Sequence, residues 1–455
     1  KMMSKPLFSE FSPVSAKAFK QKIQYDLDGA EYNETLVWNS AEGISVKPFY
    51  HREETDALPI PGQPKTWSIA EEIFILKAAT AATTAKNALT KGAEALLFKA
   101  ENKFDIAQLL EQLPQQELAL YFNLSFLDTA FNEALLQQTA SKGFQCHLNF
   151  DILGNLARSG NWYASQKEDH KALEQLFLNP QNDNVIGVDL TLYHNAGAHS
   201  IQELAYALAH VNEYFNHYGA LLRNQQITFK VALGGNYFFE IAKLRALRLL
   251  FATLADEYNL NTQCHILAIP GLRNKTLYDY NTNLLRTTTE AMSGILGTAD
   301  VICNTAYDAI YHKTNEFGQR IARNQLLVLK NESYFDQIEN PADGTYYIES
   351  LTKQFAEKAL ALFKEIEAGG GFVTQLIQGK IQKKIKDSAA KEQKAFDEQQ
   401  KILVGTNAFI NSEDKMKSEL ELYPFVKMNP RKTLIEPIIP KRLAEQAEQK
   451  RLKDE

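Results

Sequence analysis

Cysteine is scarce: three in 455 residues, at Cys146, Cys264 and Cys303. Each lies in a strand-like run and no two are spaced as CxxC. That pattern excludes a disulfide framework or a thiolate zinc site, and reads as small buried residues in a reducing compartment. Long apolar runs are missing too. None reaches the roughly 18 residues that a membrane span needs, and no secretory leader opens the chain, so no membrane contact and a cytoplasmic location are expected. A basic surplus is also lacking: 49 Lys and Arg face 55 Asp and Glu, a net charge of −6. Nucleic-acid binding, which needs concentrated positive charge to displace counterions, is thereby disfavoured. No glycine-rich phosphate loop, metal-ligand cluster or Ser/His/Asp motif stands out.

What is present is an ordinary globular composition, 45% hydrophobic and 23% charged, long enough for one large barrel with extensions. Residues 1–75 read as an N-terminal arm. "FSPVSAKAFKQKIQYDLDGA" carries a short amphipathic helix, and "EGISVKPFY" and "LPIPGQPKTW" follow with prolines that keep the chain extended. Such an arm must cover a surface, its own or a partner's.

Residues 76–350 alternate strand and helix patterns. Strands are expected at 94–99, 117–124, 145–151, 185–193, 227–235, 263–269 and 300–305, and an eighth between about 327 and 339. Seven or eight strands in about 280 residues point to an α/β fold, a (β/α)8 TIM barrel. Residues 351–455 form C-terminal helices and a linker or tail, with "QGKIQKKIKDSAAKEQKAFDEQQK" as a solvated helix face.

Strand alternation divides the barrel residues into two faces. Leu96, Phe98, Leu120, Phe122, Leu148, Phe150, Ile186, Val188, Phe229 and Val231 should meet the surrounding helices. The opposite set points inward and includes Lys99, Tyr121, His147, Asp151, Asp189 and Lys230. Two roles compete for these charged and aromatic residues. They are either a catalytic cluster or a self-paired plug, since a buried charge costs several kcal/mol unless paired. An Asp189–Lys230 pair on consecutive strands, direct or joined through His147 or Asn149, is the form the plug would take. In "TLYHNAGAHS", Tyr193-His194 stands at the end of the fourth of the listed strands, where barrel enzymes place their chemistry.

Long blocks carry a resemblance. "GGNYFFEIAKLRALRLLF", "NLLRTTTEAMSGILG", "RIARNQLLVLKNES" and "NPADGTYYIESLT", with "EGISVKPFY" before and "GTNAF" after them, closely resemble consecutive blocks of the adenosylcobalamin-dependent acyl-CoA mutases. The resemblance covers most of the chain. It implies a (β/α)8 barrel that holds acyl-CoA, and a separate flavodoxin-like domain that ligates cobalamin through D-x-H-x-x-G. In this family methylmalonyl-CoA mutase interconverts methylmalonyl-CoA and succinyl-CoA, and in some bacteria it pairs a catalytic large subunit with a similar, inactive small one.

The chain departs from the catalytic pattern at several points. None of its nine histidines lies in D-x-H-x-x-G, so no cobalamin-binding flavodoxin-like domain and no cofactor are expected in this chain. Where catalytic members read Y-H-x-Q-E-A-G-A, Ala196-Gly197-Ala198 aligns with A-G-A. The catalytic Tyr-His positions then fall on Thr191 and Leu192, and Tyr193-His194 is a coincidence in the loop beyond. The family's first-strand motif F-D-L-P-T-H-R-G is replaced by "LLFKAENKFD". Lys65 and Ala70 replace arginines of R-P-W-T-I-R-Q-Y, and "CHILA" replaces a T-H-S-Q segment. The resemblance therefore implies a non-catalytic small subunit, heterodimeric with the methylmalonyl-CoA mutase large subunit that holds adenosylcobalamin, or homodimeric when alone. The alternative is a catalytic barrel that borrows a cobalamin domain from another chain.

Overall fold

The computed structural model describes residues 7–114, 117–179, 183–427 and 429–455. Eight parallel strands form one sheet: β1 (Ser68–Phe74), β2 (Ala95–Ala100), β3 (Ala119–Leu124), β4 (Gln145–His147), β5 (Gly187–Asp189), β6 (Thr228–Leu233), β7 (His265–Pro270) and β8 (Val301–Cys303). The order runs β4-β3-β2-β1-β8-β7-β6-β5. The ends of that row meet: Phe150 bridges Ile186, and Phe150 N donates to Val185 O at 2.8 Å and Gly187 N to Phe150 O at 3.1 Å. The sheet is thus a closed barrel with helices outside, among them Ser200–Tyr218 and Tyr237–Glu257.

The eighth strand is not where the sequence placed it. Residues 327–339 end the helix Glu316–Asn331 and continue as a loop. The missing strand is β1, inside the stretch read as an arm, and it pairs with β8 and β2. Its outward set is Ile69, Glu71 and Ile73; the charge of Glu71 meets Arg323 of the helix Glu316–Asn331 in a buried ion pair.

The strand expected over 185–193 also ends early. β5 stops at Asp189 and Thr191–Asn195 is a short helix. Leu190 N makes a last sheet bond to Lys230 O. The Asp189 carboxylate then accepts from Thr191 N at 3.0 Å, turning the chain into the helix.

Strand parity is as the alternation predicts. Leu96, Phe98, Leu120, Phe122, Leu148, Phe150, Val188, Phe229 and Val231 join the large core shared with the helices, while Ala70, Leu97, Tyr121, Leu267, Val301 and Cys303 form a separate core inside the barrel. Cys146, Cys264 and Cys303 are buried and free.

Beyond the barrel, helices Tyr346–Ala368, Gly371–Ile377 and Lys380–Asp397 stack on its flank. The tail then crosses the C-terminal ends of the strands: Ile438 N donates to Ala157 O, Lys441 N to Asn195 O and Leu443 N to Arg273 O. Residues 38–67 lie on the chain itself. Trp38 packs on Phe239, Gln354 clasps the backbone of Ser45, and Leu58 N donates to Glu349. Before them, Leu7, Phe8, Phe11 and Val14 stay exposed.

Candidate functional site in the barrel lumen

Two layers of side chains fill the lumen, and the register sets both. The lower layer carries Leu97, Tyr121 and His147 on β2–β4 and Gly187, Thr228 and His265 on β5–β7. β3 and β7 stand opposite each other in an eight-stranded ring, yet Tyr121 OH and His265 Nε2 are 2.8 Å apart. A hydrogen bond therefore bolts the barrel across its axis. His147 stacks on Tyr121 with ring centroids 4.4 Å apart, and lies 5.1 Å from His265. Burial drives the pKa of His147 well below its usual value, with His265 adding to the effect, and burial lowers His265 also. Both rings are held neutral.

The upper layer carries Asn123, Asp189, Lys230 and Leu267. Lys230 Nζ is 3.9 Å from Asp189 Oδ2, with no bridge through His147 or Asn149. A closer partner is Arg158, whose Nη2 lies 2.7 Å from the same carboxylate oxygen. Burial opposes the charge on Asp189, but Lys230, Arg158 and Thr191 outweigh it and hold the carboxyl below its ordinary range. Between the layers remains a chamber of about 40 Å³, lined by Leu97, Asn123, Asn149, Asp189, Thr228 and Lys230 among others.

The remaining sequence candidates lie at the margin of the lumen or outside it. Lys99 is exposed at the mouth of the barrel, beside Phe74 in register. Asp151 caps the helix Ile152–Ser159 and accepts from His210 Nε2 at 2.6 Å and Tyr214 OH at 2.8 Å, both on the outer helix Ser200–Tyr218. It ties the barrel to that helix, and it also borders the lumen chamber, where its Oδ2 accepts from Asp189 N at 2.9 Å. Thr191 donates to Asp189, and Leu192 is buried in the outer core. Tyr193 is buried there too, 3.2 Å from His210 Nδ1.

His194, on the same short helix, turns to its other side. Its Nδ1 lies 2.9 Å from Glu203, which Lys243 Nζ holds at 3.0 Å. It borders a cleft of about 670 Å³ at the edge of the C-terminal face, with Trp38, Arg273, Lys391 and Glu392 on its other walls. Burial works against the charge of Glu392, but Lys401 and Arg273 hold its pKa down at about 2. Parity reasoning missed His265 and Arg158. The first was legible as the inward residue of "CHILAI". The second, on a helix rather than a strand, carried no signal.

Fold and site together define a (β/α)8 barrel whose axis is crossed by its own side chains. The chain belongs to the methylmalonyl-CoA mutase family, whose model matches residues 103–451. It is 33% identical over 444 residues to the methylmalonyl-CoA mutase small subunit of Porphyromonas gingivalis, covering 89% of this chain and 71% of that protein. It is 27% identical over 465 residues to the methylmalonyl-CoA mutase of Cereibacter sphaeroides, covering 86% of this chain and 64% of that one. The 2-hydroxyisobutanoyl-CoA mutase large subunit of Aquincola tertiaricarbonis matches over a shorter stretch, 28% identical over 252 residues, 52% of this chain and 44% of that protein. Among the described residues no helix is long and apolar enough to cross a membrane.

Proposed function

We propose that this chain is the non-catalytic small subunit of a heterodimeric methylmalonyl-CoA mutase, acting in the cytoplasm in propionate metabolism. It stabilises a large subunit that binds adenosylcobalamin and interconverts methylmalonyl-CoA and succinyl-CoA. The observation that carries this reading is the Tyr121–His265 hydrogen bond across the lumen, with His147 stacked against it. A pantetheine chain threaded along the axis would have to displace three packed rings, and about 40 Å³ of chamber is far too small to hold it.

The chain's buried histidines are a poor fit to a cobalt ligand. His147 is stacked on Tyr121, His210 on Phe372, and His170 is buried against Tyr218, so none of the three has a face open to a corrin ring. The cofactor is therefore assigned to the partner, and no chemistry is routed through this chain.

Contact with the partner is assigned to the start of the arm. Residues 38–67 already have their surface on this chain, whereas Leu7 is 87% and Phe8 72% exposed, with Phe11 and Val14 nearby in sequence. Exposed apolar side chains clustered this closely mark an interaction surface. Co-expression with the large subunit tests the assignment. Replacing Leu7, Phe8, Phe11 and Val14 together by Ser should lower copurification at least tenfold while the barrel's melting temperature is unchanged. Undiminished copurification would remove the arm from the interface.

A further inference from the structure

The lumen contains polar atoms that its own side chains leave unsatisfied. Thr228 Oγ1, Asn149 Oδ1 and His147 Nδ1 are all buried and have no hydrogen-bond partner among the described residues. All three belong to the inward face. Asn149 and Thr228 line the chamber directly, and His147 precedes Asn149 by one inward position on the same segment. Lys230 borders it as well, with Asp189 at 3.9 Å as its ion-pair partner, longer than a hydrogen bond. The Arg158–Asp189 pair stands on the chamber's wall.

These atoms are chemically mixed. A threonine hydroxyl both donates and accepts, an amide oxygen accepts, and a lysine ammonium only donates. An anion would satisfy the ammonium but not the amide oxygen, and would face the carboxylate of Asp189. A cation would face Lys230. The ligand that satisfies every one of them is water, which offers two donors and two acceptors.

We propose that this chamber is a hydration site, occupied by a small cluster of ordered waters that hydrogen-bond Thr228, Asn149 and Lys230 and complete the filling of the barrel axis. The volume agrees. One water needs roughly 10–15 Å³ measured this way, so about 40 Å³ admits about three. The cluster makes the axis a wet plug. An acyl chain gains nothing there, because it would strand the same polar atoms that water satisfies. The atoms concerned are the same whether or not the chain pairs with a large subunit.

Thr228→Val tests this by the sign of its effect, because valine keeps the shape and removes the hydroxyl. In a hydrated chamber the hydroxyl is bonded, and its loss should lower the melting temperature of the full chain by about 1–2 °C. In a dry chamber the hydroxyl is an unpaid desolvation cost, and its loss should raise it. An unchanged or raised melting temperature overturns the proposal. A crystal structure of the unsubstituted chain, refined with solvent, is the second reading. Density peaks within hydrogen-bond distance of Thr228 Oγ1 and Asn149 Oδ1 are expected. A chamber without density, or one that takes up xenon under pressure as dry apolar cavities do, overturns it equally.

Discussion

The barrel axis and the cleft beside it treat space and charge in opposite ways. The axis keeps about 40 Å³ between two layers of side chains, whereas the cleft at the rim keeps about 670 Å³. Under the cleft, charge is sealed from water. Lys243 is 1% exposed and sits 3.0 Å from Glu203 and 2.7 Å from Glu240. On the axis, Lys230 is 20% exposed and its carboxylate partner is 3.9 Å away, shared with a half-exposed Arg158. The difference shows that the axis is not narrow because the whole molecule is tightly packed. Its closure comes from particular rings, and the charges above them are paired only as closely as their residual contact with water demands.

That contrast is broken most sharply at Lys243. Lys243→Met leaves Glu240 without its cation and Glu203 with His194 alone in a dry site, and should cost roughly 3–5 kcal/mol in urea unfolding. A loss below about 1 kcal/mol would mean that water reaches the pair, and the contrast would fail.

Acid comes next. His147 and His265 have pKa values below that of a free imidazole in the folded chain. Below about pH 6.5 the unfolded chain takes up protons there and the folded chain does not. Stability should therefore be full above that pH and fall below it, by up to about 1.4 kcal/mol per pH unit for each ring. Asp151, Asp189 and Glu203, all held below their usual range, add to the loss below about pH 4. Unfolding measured at pH 7.5, 6.5 and 5.5 reads the histidine share, and His147→Phe should flatten the lower interval by one ring's worth. A flat profile in the parent chain would show that neither ring is held neutral.

Asp189→Ala should cost less than Lys243→Met, about 1–3 kcal/mol, because Lys230 and Arg158 keep access to water once the carboxylate is gone. Tyr121→Phe is the mildest, about 1 kcal/mol for one hydrogen bond. It should leave the stack of rings in place, which a crystal structure of the variant would check.

Much of this was legible in the sequence, for a reason that also explains the misses. Alternation in "ELALYFNL" and "QCHLNFD" separates helix-facing from lumen-facing residues because a strand's period is two whatever surrounds it. It therefore placed Tyr121 and His147 on the axis. β1 escaped because "SIAEEIF" puts Glu71 on the apolar face, and the residue that makes this tolerable, Arg323, lies far along the chain. "VIGVDLTLY" was read as strand throughout because its β-branched residues continue past Asp189. The turn is made by the Asp189 side chain bonding Thr191, a local competition with the sheet that alternation does not register. Parity also assigned Asp151 inward, and it borders the chamber; what alternation does not register is that a helix begins immediately after it, so its carboxylate also serves that helix's first turn, 2.7 Å from Gly154 N.

If the lumen is plugged as proposed, the axis of this barrel does not receive acyl-CoA. Calorimetric titration of the full chain with methylmalonyl-CoA measures this directly. No saturable heat up to millimolar ligand is predicted, and no succinyl-CoA should form when adenosylcobalamin is added. Saturable binding in the micromolar range, abolished by substitutions at Lys230 or Asn123 on the upper layer, would contradict it. It would mean that the Tyr121–His265 bond opens to admit the substrate.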